Sequence, residues 1–438
     1  MNALTKQSDS SESGSMILET VLRETSQAQG FLRYLGSFEE LLWQMNKRSP
    51  LHATLAAHVD GSTTIGGWRS ALDQTRRRHS LWSAVIAQTE DGAPFFQAMR
   101  DPGVELRVIE GEFNQGWERE VARELSVRID AESGPLVRAV LMHNDSSCML
   151  ILSAHHSICD GMSLAFAMRD VLQALSGSKL KKLSLHSSQE RRLGMCSEPR
   201  AQRRSGLRPE VSAARTVYRS NSSIIPEVRS LQFSYILTDA LRKRARQENT
   251  TVHAVLLAAA GMAARRNPGY GSDRDLHLCS TISNRARVGS PEDCGVFFTA
   301  CDFPLQDSPV DDLWNLARRS KDKLSLGQSE DGVKAVLGAV DGIVQSGLDA
   351  YSAGEEGGKL FLFDIHLSNL GAVAIPTSYG ALSLRQLWGP GVLIGFAGEQ
   401  TLGVSTLNGR LCLLHTSHRP LPGFLDQIES TLSLACSS

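Results

Sequence analysis

The chain has 438 residues, 41% apolar and 21% charged, enough to bury sizeable cores in two or three folded units. A net charge of −1 provides no global field to attract nucleic acid, the strongest apolar run (254–264) is far too short to span a bilayer, and the first 15 residues lack the apolar core of a secretory signal. Eight cysteines, at positions 148, 159, 196, 279, 294, 301, 412 and 436, are scattered without a CxxC pair, which argues against a zinc site and a disulfide framework and suits reduced thiols in the cytoplasm.

In chain order, residues 1–29 are rich in Ser, Glu and Gln and read as a flexible tail. Ser37 with Glu40 reads as a capping box ahead of Leu41, Leu42 and Met45. A strand is expected over 51–60. A helix follows over 65–78, where Ile65, Trp68, Ala71, Leu72 and Thr75 recur at helical spacing, and then a strand over 81–88. Residues 148–154 (CMLILSA) are continuously apolar, as in a buried central strand. The segment HHSICDG (155–161) comes next, before a helix with Leu164, Met168, Val171, Leu172 and Leu175 on one face.

The rhythm breaks over 176–230, which holds three prolines and, between Lys179 and Arg229, twelve Lys/Arg against four Glu. This is expected to be a long crossover between two halves. It reads either as a solvated linker or as a basic patch for CoA phosphates or an acidic carrier protein, with Arg200, Arg203, Arg204 and Arg208 as docking candidates. The second half opens with a strand over 231–237 and a helix over 239–248 with Thr238 as candidate N-cap. Thr251 is placed to cap a further helix over 252–266. Strands are expected at 276–283, 361–367, 392–397, 401–406 and 410–415. No internal repeat is visible, and interleaved helices and strands in both halves make the class α+β.

The chemistry is concentrated in His155–His156–Ser157–Ile158–Cys159–Asp160–Gly161, between a buried strand and an amphipathic helix. His156 has the character of a general base, because imidazole titrates near neutral pH. Asp160 brings a negative charge able to hold an arginine or orient the loop, and Gly161 would permit a sharp turn. A metal site from His155, His156 and Asp160 is disfavoured, since adjacent strand residues face opposite ways. Cys159 as nucleophile is a second rival reading, but the residue reads better as small and buried.

HHSICDG resembles the HHxxxDG motif of condensation domains, BAHD-type acyltransferases, chloramphenicol-acetyltransferase-like enzymes and mycobacterial polyketide-associated acyltransferases. Other segments resemble that superfamily in the same order: RSALDQTRRRHSLWSAVI (69–86), GPLVRAVLM (134–142), TTVHAVLLAAA (250–260), TISNRAR (281–287) and the Ser-Asn-Leu-Gly turn (368–371). Together they run from about residue 30 to 415. The DFGWG motif of the plant BAHD enzymes is absent, with LWGP at 387–390 at best a remnant.

The resemblance implies two chloramphenicol-acetyltransferase-like lobes, 30–175 and 231–438, arranged in a V around an active-site tunnel and joined by the 176–230 crossover. It implies that His156 takes a proton from an acceptor hydroxyl or amine as that group attacks an acyl thioester directly, without an acyl-enzyme. Asp160 is implied to point away and pair with an arginine, Arg285 first and Arg287 second, and His155 to pack behind the strand. Ser368 and Asn369 are candidates to polarise the oxyanion or line the tunnel. The donor would be acyl-CoA or an acyl group on a carrier protein's phosphopantetheine arm, a co-substrate rather than a resident cofactor, and no metal is called for. O-acyl transfer to a small alcohol by a monomeric stand-alone enzyme is the leading expectation. Amide formation by a peptide-synthetase-type condensation enzyme and a non-catalytic carrier-binding scaffold are the alternatives. An epimerising enzyme keeps the same motif, usually beside an upstream carrier domain.

Overall fold

The computed structural model describes residues 30–100, 103–111, 116–195, 224–268, 276–305, 312–347, 349–361, 363–396 and 398–437. The first half contributes β1 (Phe31–Tyr34), β2 (His52–Asp60), β3 (Ala84–Gln88), β4 (Pro94–Ala98), β5 (Glu105–Glu110), β6 (Val137–His143) and β7 (Ser147–His155). The second half contributes β8 (Glu227–Gln232), β9 (Leu276–Ser283), β10 (Phe298–Leu305), β11 (Ile365–Ala372), β12 (Ser378–Tyr379), β13 (Leu382–Gly391), β14 (Gln400–Leu407) and β15 (Arg410–Ser417). These form two six-stranded sheets, ordered β12-β13-β2-β7-β6-β5 and β10-β9-β11-β14-β15-β8, and a small sheet β1-β4-β3. The class is α+β, with both large sheets mixed in strand direction.

β7 is central because both of its faces are apolar. Cys148, Leu150, Leu152 and Ala154 pack with helices Ile65–Arg78 and Gly161–Leu175, while Met149 and Ile151 meet helix Trp117–Ser126 on the other face. The period-2 alternation of a strand accounts for the split. In the second lobe, helix Val252–Arg265 buries Val255, Leu256, Ala259 and Ala263 against Leu278, Leu367 and Leu402. Thr251 caps that helix by accepting the Ala254 N–H at 3.1 Å.

Several local expectations are revised. Helix Ser37–Arg48 is capped at Gly36, whose N–H donates to Glu39 at 2.8 Å, because Ser37 is engaged with Asp341. The expected 231–237 strand is β8 at Glu227–Gln232. Ser234, not Thr238, caps the following helix, since its Oγ accepts the Leu237 N–H at 3.1 Å. The strand expected at 392–397 lies earlier, as β13. The strand near 361–367 begins at Ile365.

β13 belongs to the second half in sequence and to the first sheet in space, pairing antiparallel with β2. A division of the chain at 230/231 therefore does not separate the two sheets. β13 crosses close to β14: a Cβ on Gly403 would sit 2.0 Å from the Pro390 carbonyl oxygen. Only glycine permits that approach. The described part of the 176–230 crossover is not wholly a solvated linker. Gln189 and Glu190 are buried, Glu190 accepts the Phe38 N–H at 2.8 Å, and Asn284 donates to Gln189 at 3.0 Å. Arg200, Arg203, Arg204 and Arg208 lie outside the described residues, as does the 1–29 tail. No helix among the described residues is long and apolar enough to cross a membrane.

Candidate active site

The HHSICDG segment leaves the end of β7 and is pinned by its backbone and by Ser157. His156 N–H approaches the Leu51 carbonyl (3.4 Å), the Asp160 N–H donates to the Gly295 carbonyl (3.1 Å), and Ser157 Oγ donates to the Glu39 carbonyl (3.0 Å). The loop is thereby tied to helix Ser37–Arg48 on one side and to the second lobe on the other. His155 is the last residue of β7, fully buried, and its Nδ1 accepts the Ser157 N–H at 3.1 Å. Burial pushes its pKa down to about 3, so it is neutral at physiological pH.

His156 behaves differently from its neighbour. Its Nδ1 lies 2.9 Å from the Cys159 carbonyl oxygen. A carbonyl only accepts, so Nδ1 carries the proton and Nε2 keeps its lone pair. The ring lies against Phe298 at 5.2 Å between centroids. Burial lowers the pKa below the usual histidine value, opposed by the Cys159 hydrogen bond and the Asp160 charge, so the ring is neutral near pH 7.

The ring lines a cavity of about 70 Å³ between the lobes. Helix Ser37–Arg48 supplies Phe38, Leu41, Leu42 and Met45, and Phe361, Phe363, Val392 and Ile394 extend the apolar wall. Thr281 of β9 and His366 and Ser368 of β11 contribute polar groups to the lining.

Asp160 also lines this cavity, but its carboxylate is engaged by other groups. It caps helix Gly161–Leu175 by accepting the Ser163 N–H (2.7 Å), and the same Oδ1 receives Arg285 Nη2 at 2.6 Å. Oδ2 receives the Phe297 N–H at 3.3 Å. Arg285 Nη1 donates to the carbonyls of Ser290 (3.1 Å) and Asp293 (2.9 Å), and its guanidinium lies over the rings of Phe166 and Phe297. The pair is buried and joins the first lobe to the second. Arg287 donates to the Gln328 carbonyl instead. Gly161 is not in a left-handed conformation, so the expected sharp turn is not its purpose. A Cβ there would meet Pro390 Cγ at 2.8 Å and Leu370 Cδ2 at 2.9 Å, so the glycine admits β13 to the site.

The structure separates Ser368 from Asn369. Ser368 lines the cavity, whereas Asn369 Oδ1 accepts the Gly371 N–H at 2.7 Å and serves its own turn. His366 and Thr281, joined at 3.0 Å, were not singled out from sequence. The signal for His366 was strand parity, since residues two apart share a face and Ser368 was already a candidate. Phe298 had no comparable signal. Burial raises the Cys159 thiol well above its usual pKa, and its sulfur donates to the Asp160 carbonyl.

Residues 222–386 match a family described as the C-terminus of phthiocerol/phthiodiolone dimycocerosyl transferase. Among solved structures, polyketide synthase associated protein 5 from Mycobacterium tuberculosis is 18% identical with a TM-score of 0.65, covering 93% of this chain and 98% of that one. The first condensation domain of the CDA synthetase is 15% identical with a TM-score of 0.66, covering 92% and 96%. Malpinin synthetase of Mortierella alpina is 28% identical over 127 residues, 28% of this chain and 2% of that protein. The chain spans only 2–4% of the length of the first curated relatives it matches. The chain thus shares the two-sheet, two-lobed fold of these solved structures, carries an HHxxxDG segment between the lobes, and is similar over residues 222–386 to the dimycocerosyl transferase family.

Proposed function

We propose that this chain transfers an acyl group from a thioester, on CoA or on a carrier protein, to an acceptor hydroxyl, with His156 as general base and no acyl-enzyme. The observation that carries the reading is the His156 Nδ1–H held by the Cys159 carbonyl at 2.9 Å in a ring that lines the inter-lobe cavity. That bond selects the tautomer whose Nε2 accepts a proton. The acceptor hydroxyl loses its proton to Nε2 as its oxygen attacks the thioester carbonyl. The tetrahedral oxyanion then collapses, expelling the thiolate, which takes the proton from the imidazolium. Ser368 is the candidate donor to the oxyanion, and Thr281 is the other hydroxyl on that wall. The thioester is a co-substrate, so the scheme uses no resident cofactor.

The dimycocerosyl transferase description of the matched family supports transfer to oxygen. The nonribosomal peptide synthetase relatives support amide formation as the second reading, which the same base would serve. The test follows free-thiol release from hexanoyl-CoA and a hexanoyl carrier protein with panels of alcohols and amines. His156→Ala should slow transfer by about 100- to 10,000-fold in a folded protein. Full activity in that variant would remove His156 from the mechanism. A folded wild type that turns over no thioester would favour a carrier-binding scaffold instead.

A further inference from the structure

We propose that His366 and Thr281 form a specificity-determining pair that recognises a hydroxyl group on the acyl chain, making hydroxyacyl thioesters the preferred donors. The inference rests on reading the inter-lobe cavity as the acyl site.

The cavity lining is mixed. Helix Ser37–Arg48 and Phe361, Phe363, Val392 and Ile394 supply apolar groups, whereas β9 and β11, paired in parallel, bring in Thr281, His366 and Ser368. A plain hydrocarbon chain would offer these groups no hydrogen bond. His366 Nε2 lies 3.0 Å from Thr281 Oγ1, and its Nδ1 is buried with no hydrogen-bond partner among the described residues. A buried ring nitrogen left unpaired is unfavourable, and its presence in a cavity wall points to a missing polar partner. The neighbouring His253 shows the contrast. It bonds Ser280, which alternates to the other face of β9 from Thr281, and it is not among the cavity-lining residues.

The pair suits a hydroxyl. Thr281 Oγ1 can donate to or accept from Nε2, so Nδ1 can be either an N–H donor or a lone-pair acceptor. A hydroxyl both donates and accepts and satisfies either form.

The experiment measures binding of hexanoyl-, 2-hydroxyhexanoyl- and 3-hydroxyhexanoyl-N-acetylcysteamine to the full chain by calorimetry, independently of the acceptor. Wild type should hold one of the hydroxylated thioesters on the order of tenfold more tightly than hexanoyl. His366→Leu should bring that ratio to about one without weakening hexanoyl binding, and Thr281→Val should reduce it. His366→Gln, which keeps a hydrogen-bonding end, should retain part of the preference. It also stands in as the test variant if the leucine variant does not fold. Equal affinities in wild type, or a preference unchanged in all variants, would overturn the pair's role while leaving the acyl site intact. Failure of every thioester to bind folded wild type would overturn the acyl-site reading and this inference with it.

Discussion

Two reactive groups in the HHSICDG loop, His156 and Cys159, lie three residues apart and are separated by environment. Burial lowers the imidazole's pKa and raises the thiol's, so near pH 7 the imidazole is neutral while the thiol stays protonated. Cys159→Ala is therefore expected to keep most activity. Intact mass spectrometry after incubation with an acyl thioester alone should show an unmodified chain. An adduct on Cys159 or Ser157 that disappears on adding acceptor would overturn direct transfer. The pH profile follows from the same shift. In the proposed mechanism the active form of His156 is neutral, and its folded pKa lies below the usual 6.5, so kcat/KM should be level above pH 7 and fall only below pH 6.5 as the ring protonates. A decline beginning above pH 7 would point to another base.

Helix Gly161–Leu175 begins at the residue that also fastens the lobes together. Asp160 is its N-cap and the partner of Arg285, and one oxygen serves both tasks. Arg285→Ala leaves a buried carboxylate without its countercharge, a loss of about 3–5 kcal/mol. Asp160→Asn keeps a capping oxygen but removes the charge, and should cost less than Arg285→Ala. Urea midpoints of the two variants check the order, and equal midpoints with wild type would show that the pair carries no net stability. Gly161→Ala should destabilise by about 1–3 kcal/mol, because its new methyl must displace Pro390 and Leu370.

At the scale of the whole molecule, desolvation holds several of the described histidines in the neutral form. Desolvation holds His52, His155 and His415 at about 3, and His253 and His366 at about 4. Unfolded, each would titrate near 6.5, so below that pH the unfolded chain binds protons the native state refuses. Each histidine's contribution is intact above pH 6.5 and is lost as pH falls toward its folded value, by up to about 1.4 kcal/mol per pH unit. Tm should thus be level from pH 8 to 7 and drop steeply between pH 6.5 and 5, with a shallower drop in His415→Gln. A flat Tm across that range would contradict the buried neutral assignment. For the donor, charge reversal of Arg203 and Arg204 together should weaken turnover with a carrier-bound donor, less so at high salt. Unchanged kinetics would leave the basic run without a role in docking.

Short-range regularities made part of this molecule legible in its sequence. The apolar run at 148–154 reads as a buried strand and is one, and helices Ile65–Arg78 and Val252–Arg265 declared themselves by period. The loop after β7 was recognisable because its polar residues stand at fixed spacing beside such a strand. Pairings across the fold were not legible. β13 joins β2, with Thr54 Oγ1 donating to the Gly391 carbonyl across 337 positions, and local sequence around 382–391 carries no signal of that destination. Likewise Ser37 reads as a cap until Asp341 claims its hydroxyl, and Asn369 reads as a cavity residue until strand alternation turns it aside. The cavity is also a tertiary product, since its walls come from helix Ser37–Arg48, β9, β11 and the chain after β13. Local propensity determines which elements form, while which side chains face one another depends on burial of apolar faces from distant parts of the chain.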